Sequence, residues 1–170
     1  KNNVALSELY LQENKIKTLP DNFFETNRRL SRLTISSSQL ENLHTSLGVN
    51  KPYLSLIQAN NNNITSIPAS FADLKSITEI ELSNNRISQV DDELFVNMIK
   101  YSKNKDIRLK LGSNNIKYLH VDKMVAALDE GKEIKYFQIG MNMLPMDISS
   151  EEKAKLKRLW VSFDSEIFSY

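Results

Sequence analysis

The sequence predicts an α/β solenoid, in which short parallel strands stack side by side and are joined across the opposite face by turns and short helices. Three observations carry this. One apolar pattern recurs along nearly the whole 170-residue chain. Its copies start a new turn every 22–29 residues, the period at which repeat arrays stack. Each copy holds an apolar–spacer–apolar core, the period of two expected of a short strand.

The pattern runs apolar, two spacers, apolar, one spacer, apolar, two spacers, Asn, one spacer, apolar. It reads Leu6-Leu9-Leu11-Asn14-Ile16, Leu54-Ile57-Ala59-Asn62-Ile64 and Ile77-Ile80-Leu82-Asn85-Ile87. A looser copy, Leu30-Leu33-Ile35-Ser38-Leu40, has serine in the Asn slot. Later copies are Leu109-Leu111-Asn114-Ile116, with Asp106 in its first slot, and Ile134-Phe137-Ile139-Asn142-Leu144. A seventh, Leu156-Leu159-Val161-Asp164, ends on Glu166 in place of an apolar residue. The Asn has a mechanical role. Its amide carries donors and an acceptor, so it satisfies backbone groups where the chain turns off the strand.

The connections change along the chain. Leu19-Pro20 with Phe23 and Phe24, and Ile67-Pro68 with Phe71 and Leu74, predict irregular turns, because proline stops strand pairing. Further on the inserts lengthen. Leu94, Phe95, Met98, Ile99 and Tyr101 fall on one side of a helix predicted over 92–102, with Asp91-Asp92-Glu93 as its acidic first turn. Val121, Met124, Val125 and Leu128 repeat the helical spacing, with Gly131 as the stop. Ser149-Ser150-Glu151-Glu152 holds a capping box that opens a C-terminal capping helix. No equivalent precedes Leu6, so an N-terminal cap is expected to be missing from this sequence.

This arrangement resembles the leucine-rich repeat, and the resemblance covers nearly the whole chain as one domain over 1–170, about seven repeats with 146–170 as cap. It implies a curved right-handed superhelix whose parallel sheet lines the concave face. It also implies a non-catalytic role in protein binding, with the spacers of each strand turned toward a protein or peptide partner. Carried over by position, the first spacer column holds Glu8, Arg32, Leu56, Glu79, Arg108, Tyr136 and Arg158. The second holds Tyr10, Thr34, Gln58, Glu81, Lys110, Gln138 and Trp160. The candidate partner-binding residues are therefore Tyr10, Arg32, Gln58, Glu79, Glu81, Arg108, Lys110, Tyr136, Gln138 and Trp160. Residues two apart on a strand share a face, so Glu79 and Glu81 form an acidic patch beside the basic pair Arg108 and Lys110. The same four can instead pair with one another as cross-strand ions, and Trp160 can seal the end of the core.

Other classes find little support. A net charge of +1 gives no field directed at nucleic acid, and no stretch approaches the roughly 18 apolar residues of a membrane span. The chain is expected to be monomeric. Cysteine is absent, which excludes thiol catalysis and Cys-based zinc sites within these residues. It also sets the chain apart from disulfide-capped animal extracellular repeats, favouring a cytosolic or a bacterial surface or secreted setting. His44 and His120 stand 76 positions apart with no triad spacing, the four glycines form no phosphate loop, and neither metal nor cofactor is expected. Asn63-Ile64-Thr65 matches a glycosylation sequon, but Asn60 to Asn63 also serve as turn residues. Met141, Met143 and Met146 fit packing beneath the cap or an adaptable groove. Two further readings stay open: the recognition segment of a larger enzyme, and a bacterial or parasite adhesin or glycan-binding array.

Overall fold

Among the described residues six short strands form one parallel sheet in sequence order: β1 (Glu8–Tyr10), β2 (Arg32–Thr34), β3 (Leu56–Gln58), β4 (Glu79–Glu81), β5 (Asp106–Lys110) and β6 (Glu133–Gln138). The computed structural model describes residues 3–104, 106–118, 122–123, 126, 133–138, 150–151 and 154. The register is the one the repeat alignment predicts, with Leu9, Leu33, Ile57, Ile80, Leu109 and Phe137 in one row. One irregularity interrupts it, a bulge between Ile107 and Arg108 where β5 meets β6. Beside the Asp106 slot, which breaks the apolar pattern, Ile107 is buried in the core.

The apolar slots make that core. Leu30, Leu54 and Ile77; Leu33, Ile57, Ile80 and Leu109; Ile35, Ala59, Leu82 and Leu111; and Leu40, Ile64, Ile87 and Ile116 are all buried. A further column, Phe24, Leu47, Phe71 and Phe95, fills the space behind the sheet. Each such side chain contributes about 1.5–3 kcal/mol by leaving water. Leu6, Leu9, Leu11 and Ile16 of the first copy are only half-buried, because among the described residues no repeat packs on their outer side.

On the convex side the structure moves from turns to helix, as the sequence predicts. Turns follow Pro20, 3-10 helices span Thr45–Leu47 and Ala69–Asp73, and a full helix, α1, spans Asp92–Tyr101. Asp91 caps α1, accepting from Glu93 N at 2.9 Å. Leu94, Phe95 and Met98 are buried, and α1 packs on the 69–73 helix.

One aromatic expectation needs correction. Tyr101 is 53% exposed: the five-residue helix beside α1 is too short to cover its last turn. Phe23 lies outside the core, with its ring set edge-on against buried Phe24 at a centroid separation of 5.0 Å. The predicted helix around Val121 to Leu128, its stop at Gly131, the methionine cluster, the degenerate seventh copy and most of the C-terminal cap lie outside the described residues.

Strands β1 to β5 each end in the same turn. The residue just before the Asn slot is left-handed in five successive copies: Glu13, Ser37, Asn61, Asn84 and Ser113, with φ from 54° to 58°. Non-glycine residues rarely adopt this region, and Asn does so most readily. The Asn-rich run at 60–63 is therefore a set of turn residues.

Candidate functional site: the open face of the sheet

What fixes the open face is the turn beneath it. Asn62 Nδ2 donates to Ile35 O and Ala59 O, while its Oδ1 accepts from Ser38 N and Leu40 N. Asn85 repeats this with Ala59 O, Leu82 O and Ile64 N, and Asn114 with Leu82 O, Leu111 O and Ile87 N. Ser38 does part of the work, its hydroxyl donating to Leu11 O and Ser36 O. All four are buried, and each ties its own turn to the one before.

A second ladder is not evident from the repeat pattern alone. Ser31 Oγ donates to Ser7 O, Ser55 Oγ to Ser31 O and Thr78 Oγ1 to Ser55 O, at 2.8–3.1 Å. A signal for it exists, since Ser or Thr follows the first apolar slot in four copies. It ends at Ile107, next to the bulge.

The spacer columns stand side by side as predicted. One runs Glu8, Arg32, Leu56, Glu79, Arg108, Tyr136; the other Tyr10, Thr34, Gln58, Glu81, Lys110, Gln138. For Tyr136 and Gln138 this placement is one of backbone register. Trp160 lies outside the described residues.

The columns differ in how free they are. Tyr10 is 53% exposed, and its hydroxyl donates to Glu8 Oε2 at 2.5 Å. That bond to a carboxylate pushes the phenol above the ordinary tyrosine range. Thr34 Oγ1 donates to Gln58 Oε1 at 3.3 Å, and Ser36 Oγ to Asn60 Oδ1 at 2.6 Å. Arg32 is half-buried.

At the centre, Lys110 Nζ lies 3.0 Å from Glu79 Oε1 and 3.2 Å from Glu81 Oε2. Glu81 Oε1 also accepts from Ser83 N. Partial burial pulls the Lys110 ammonium downward, but the bonds and charges of the two carboxylates together outweigh it and hold it above the ordinary lysine range. Three of the four central charges thus form a cross-strand ion cluster. Arg108 stands apart: it is exposed, and no ion pair joins it to another described residue.

Elsewhere the chemistry is structural. His44 caps the 45–47 helix, its Nδ1 accepting from Ser46 N at 3.1 Å while Nε2 lies 3.4 Å from Asp21. Asn63 donates weakly to Gln39 O at 3.4 Å. Among the described residues no three His, Cys, Asp or Glu side chains are placed to hold a metal ion, and no helix is long and apolar enough to cross a membrane. His120 lies outside the described residues.

The leucine rich repeat family model matches residues 28–87, the stretch that carries β2 to β4 and the slots of Ser38, Asn62 and Asn85. These residues are leucine-rich repeats. It is similar to asporin of Bos taurus, with 27% identity over 118 residues, 69% of this chain and 32% of asporin. It thus spans about a third of that relative's length. Among solved structures, a leucine-rich-repeat protein of Leptospira interrogans superposes with a TM-score of 0.72 at 20% identity, covering 95% of this chain and 37% of that one. The plant peptide hormone receptor RGFR1, solved in complex with RGF2, gives 0.70 at 26% identity, over 92% of this leucine-rich-repeat chain and 24% of the receptor. These likenesses carry the solenoid fold.

Proposed function

We propose that this chain is a non-catalytic module, one repeat domain over 1–170, that holds a protein or peptide partner on the concave face of its sheet. The observation that carries the reading is the pair of in-register columns across β1 to β6. They present donors, acceptors and charges in rows, on a face whose backbone groups are already paired. Parallel strands stand about 4.8 Å apart, so such rows match an extended chain or a helix better than a small molecule. The peptide-hormone receptor among the structural relatives, solved with its ligand, adds support.

Within this face the contacts offered are Tyr10, Arg32, Gln58 and above all Arg108, which makes no ion pair with a described residue, with Tyr136 and Gln138 continuing the columns. Glu79, Glu81 and Lys110 set a fixed charge pattern and hold one another. Glu81→Lys would break the Lys110 cluster and free Ser83 N, so stability and binding would change together. Arg108→Glu separates the two.

The test is selection of peptides from a displayed random library on the immobilised protein, followed by affinity measurement. Peptides that bind wild type should lose at least tenfold on Arg108→Glu, at unchanged melting temperature, and keep their affinity for Arg29→Glu, which lies in a loop away from the sheet face. Equal affinity for both variants would remove the partner from the central strands.

A further inference from the structure

Away from the sheet face, the loops leading into β2, β3, β4 and β5 each bring one cation to a single depression. Arg28, Lys51, Lys75 and Lys103 line a cavity of about 490 Å³ together with Val49, Asn50, Pro52 and Asp73. The loops are locked in step by Lys103 N on Lys75 O at 2.7 Å and by Ser76 Oγ on Pro52 O at 2.6 Å. Like charges on adjacent rungs repel, and among the described residues the only carboxylate in the lining is Asp73. None of the four cations makes an ion pair with a described residue.

Lys51 is the anomaly. It is 3% exposed, a burial that lysine almost never accepts without a charged partner. Its ammonium donates to one acceptor, Val49 O at 2.9 Å, although it carries three donors. A lysine serving only solubility would reach into solvent, as its stem is long enough to do. This one is held in the wall of a cavity lined by three more cations.

We propose that this cavity is a binding site for a small ligand carrying two or more linked phosphoryl groups, with Lys51 as its anchor. A phosphoryl group offers several strong acceptor oxygens to the unused donors, and lysine is a common phosphate-binding residue. The number of groups follows from the spacing. At about 4.8 Å per repeat, the cations span on the order of 14 Å, more than one phosphate reaches. Asp73 disfavours any anion and restricts the ligand to those whose charge outweighs it. The site is separate from the sheet face and does not depend on the partner-binding reading.

The experiment is titration calorimetry and thermal melting of the protein with inorganic pyrophosphate and with orthophosphate, at fixed low ionic strength. Pyrophosphate should bind saturably and at least tenfold more tightly than orthophosphate, and it should raise the melting temperature. Lys51→Met should melt higher than wild type without ligand and gain nothing from pyrophosphate. Lys75→Gln/Lys103→Gln, exposed positions outside the core, should keep the ligand-free melting temperature and lose at least tenfold in affinity; this variant decides the matter if Lys51→Met does not fold. Absence of saturable heat, or equal affinity in wild type and the double variant, would overturn the proposal. So would tighter binding of a polyglutamate peptide than of pyrophosphate. Peptides selected on the sheet face should still bind both variants, so a failure here leaves that reading standing.

Discussion

Asn62, Asn85 and Asn114 show how one side chain can serve two turns at once. Each donates within its own repeat and to the repeat before it, and each accepts a backbone N–H of that earlier repeat. Asn85→Ala would leave Ile64 N unpaired in the interior and take one of two donors from Ala59 O and from Leu82 O, which keep Asn62 and Asn114. At about 1–3 kcal/mol for a buried group left unsatisfied, a loss of about 1–3 kcal/mol is expected from urea unfolding. The Asn slot was fully legible in the sequence, because what it does depends on residue type and spacing alone. Lys51 was not, since nothing local distinguishes it from a solvated lysine. Burial and then Arg28 lower its ammonium from the ordinary lysine range, with Lys75, Lys103 and Asp73 on the same cavity wall. Between that lowered value and the ordinary one of about 10.4, the unfolded chain binds more protons than the folded one. Stability contributed at this site therefore rises with pH across that window. Lys110, whose value is raised, behaves oppositely: its contribution is complete below the ordinary lysine value and lost only above it. Denaturant unfolding should accordingly show Lys51→Met more stable than wild type at neutral pH, with the gap narrowing as pH approaches about 10.

At the scale of elements, strands and α1 follow from pattern, and the fit between neighbouring connections does not. Gly48 is the clearest case. A Cβ placed there would run into the Ser70 carbonyl, where the 45–47 and 69–73 helices lie together and Ser70 Oγ donates to Thr45 O at 2.8 Å. Its backbone, at φ −86°, would suit any residue, so its requirement is space and not conformation. Reading along the chain finds no motif at this glycine, because the atom that excludes a side chain belongs to the next repeat. Gly48→Ala should push the two connections apart and cost about 1–3 kcal/mol, the usual range for overpacking, read as a lower urea midpoint. Gly48→Ala with Ser70→Gly should recover little, since the clash is with backbone. Tyr101 makes the same point from the other side: helical spacing placed it inward, but the length of its neighbour left it uncovered.

Across the whole molecule, the in-register columns were legible before any coordinate, because a repeat alignment is already a register. The sequence left open whether the central charges face a partner or one another: Lys110 joins Glu79 and Glu81, while Arg108 makes no ion pair with a described residue. That division depends on side-chain reach, which spacing does not encode. Among the bonds that stitch the repeats, those from side chains to backbone carbonyls share a direction. Side chains of a later repeat donate to backbone carbonyls of the earlier one, as Asn27 does to Asn3, Ser31 to Ser7, Ser38 to Leu11, Ser70 to Thr45, Ser76 to Pro52 and Asn104 to Ser76. Hydrogen exchange on Asn85→Ala should reveal this polarity. The Ile64 amide, whose proton Asn85 accepts, should lose protection, whereas that of Ile87, held by Asn114, should keep it. Protection lost equally on both sides would mean that the stitching has no direction.

A chain stitched this way has an order of completion. As it leaves the ribosome, every repeat emerges with its turn unfinished and is latched only when the following one arrives. Peeling a repeat from the leading end takes acceptors from Ser31 and Ser38 of the next one but leaves that one's own turn latched by Asn62. Peeling one from the trailing end reopens the turn behind it, so the array is more exposed to unravelling from that side.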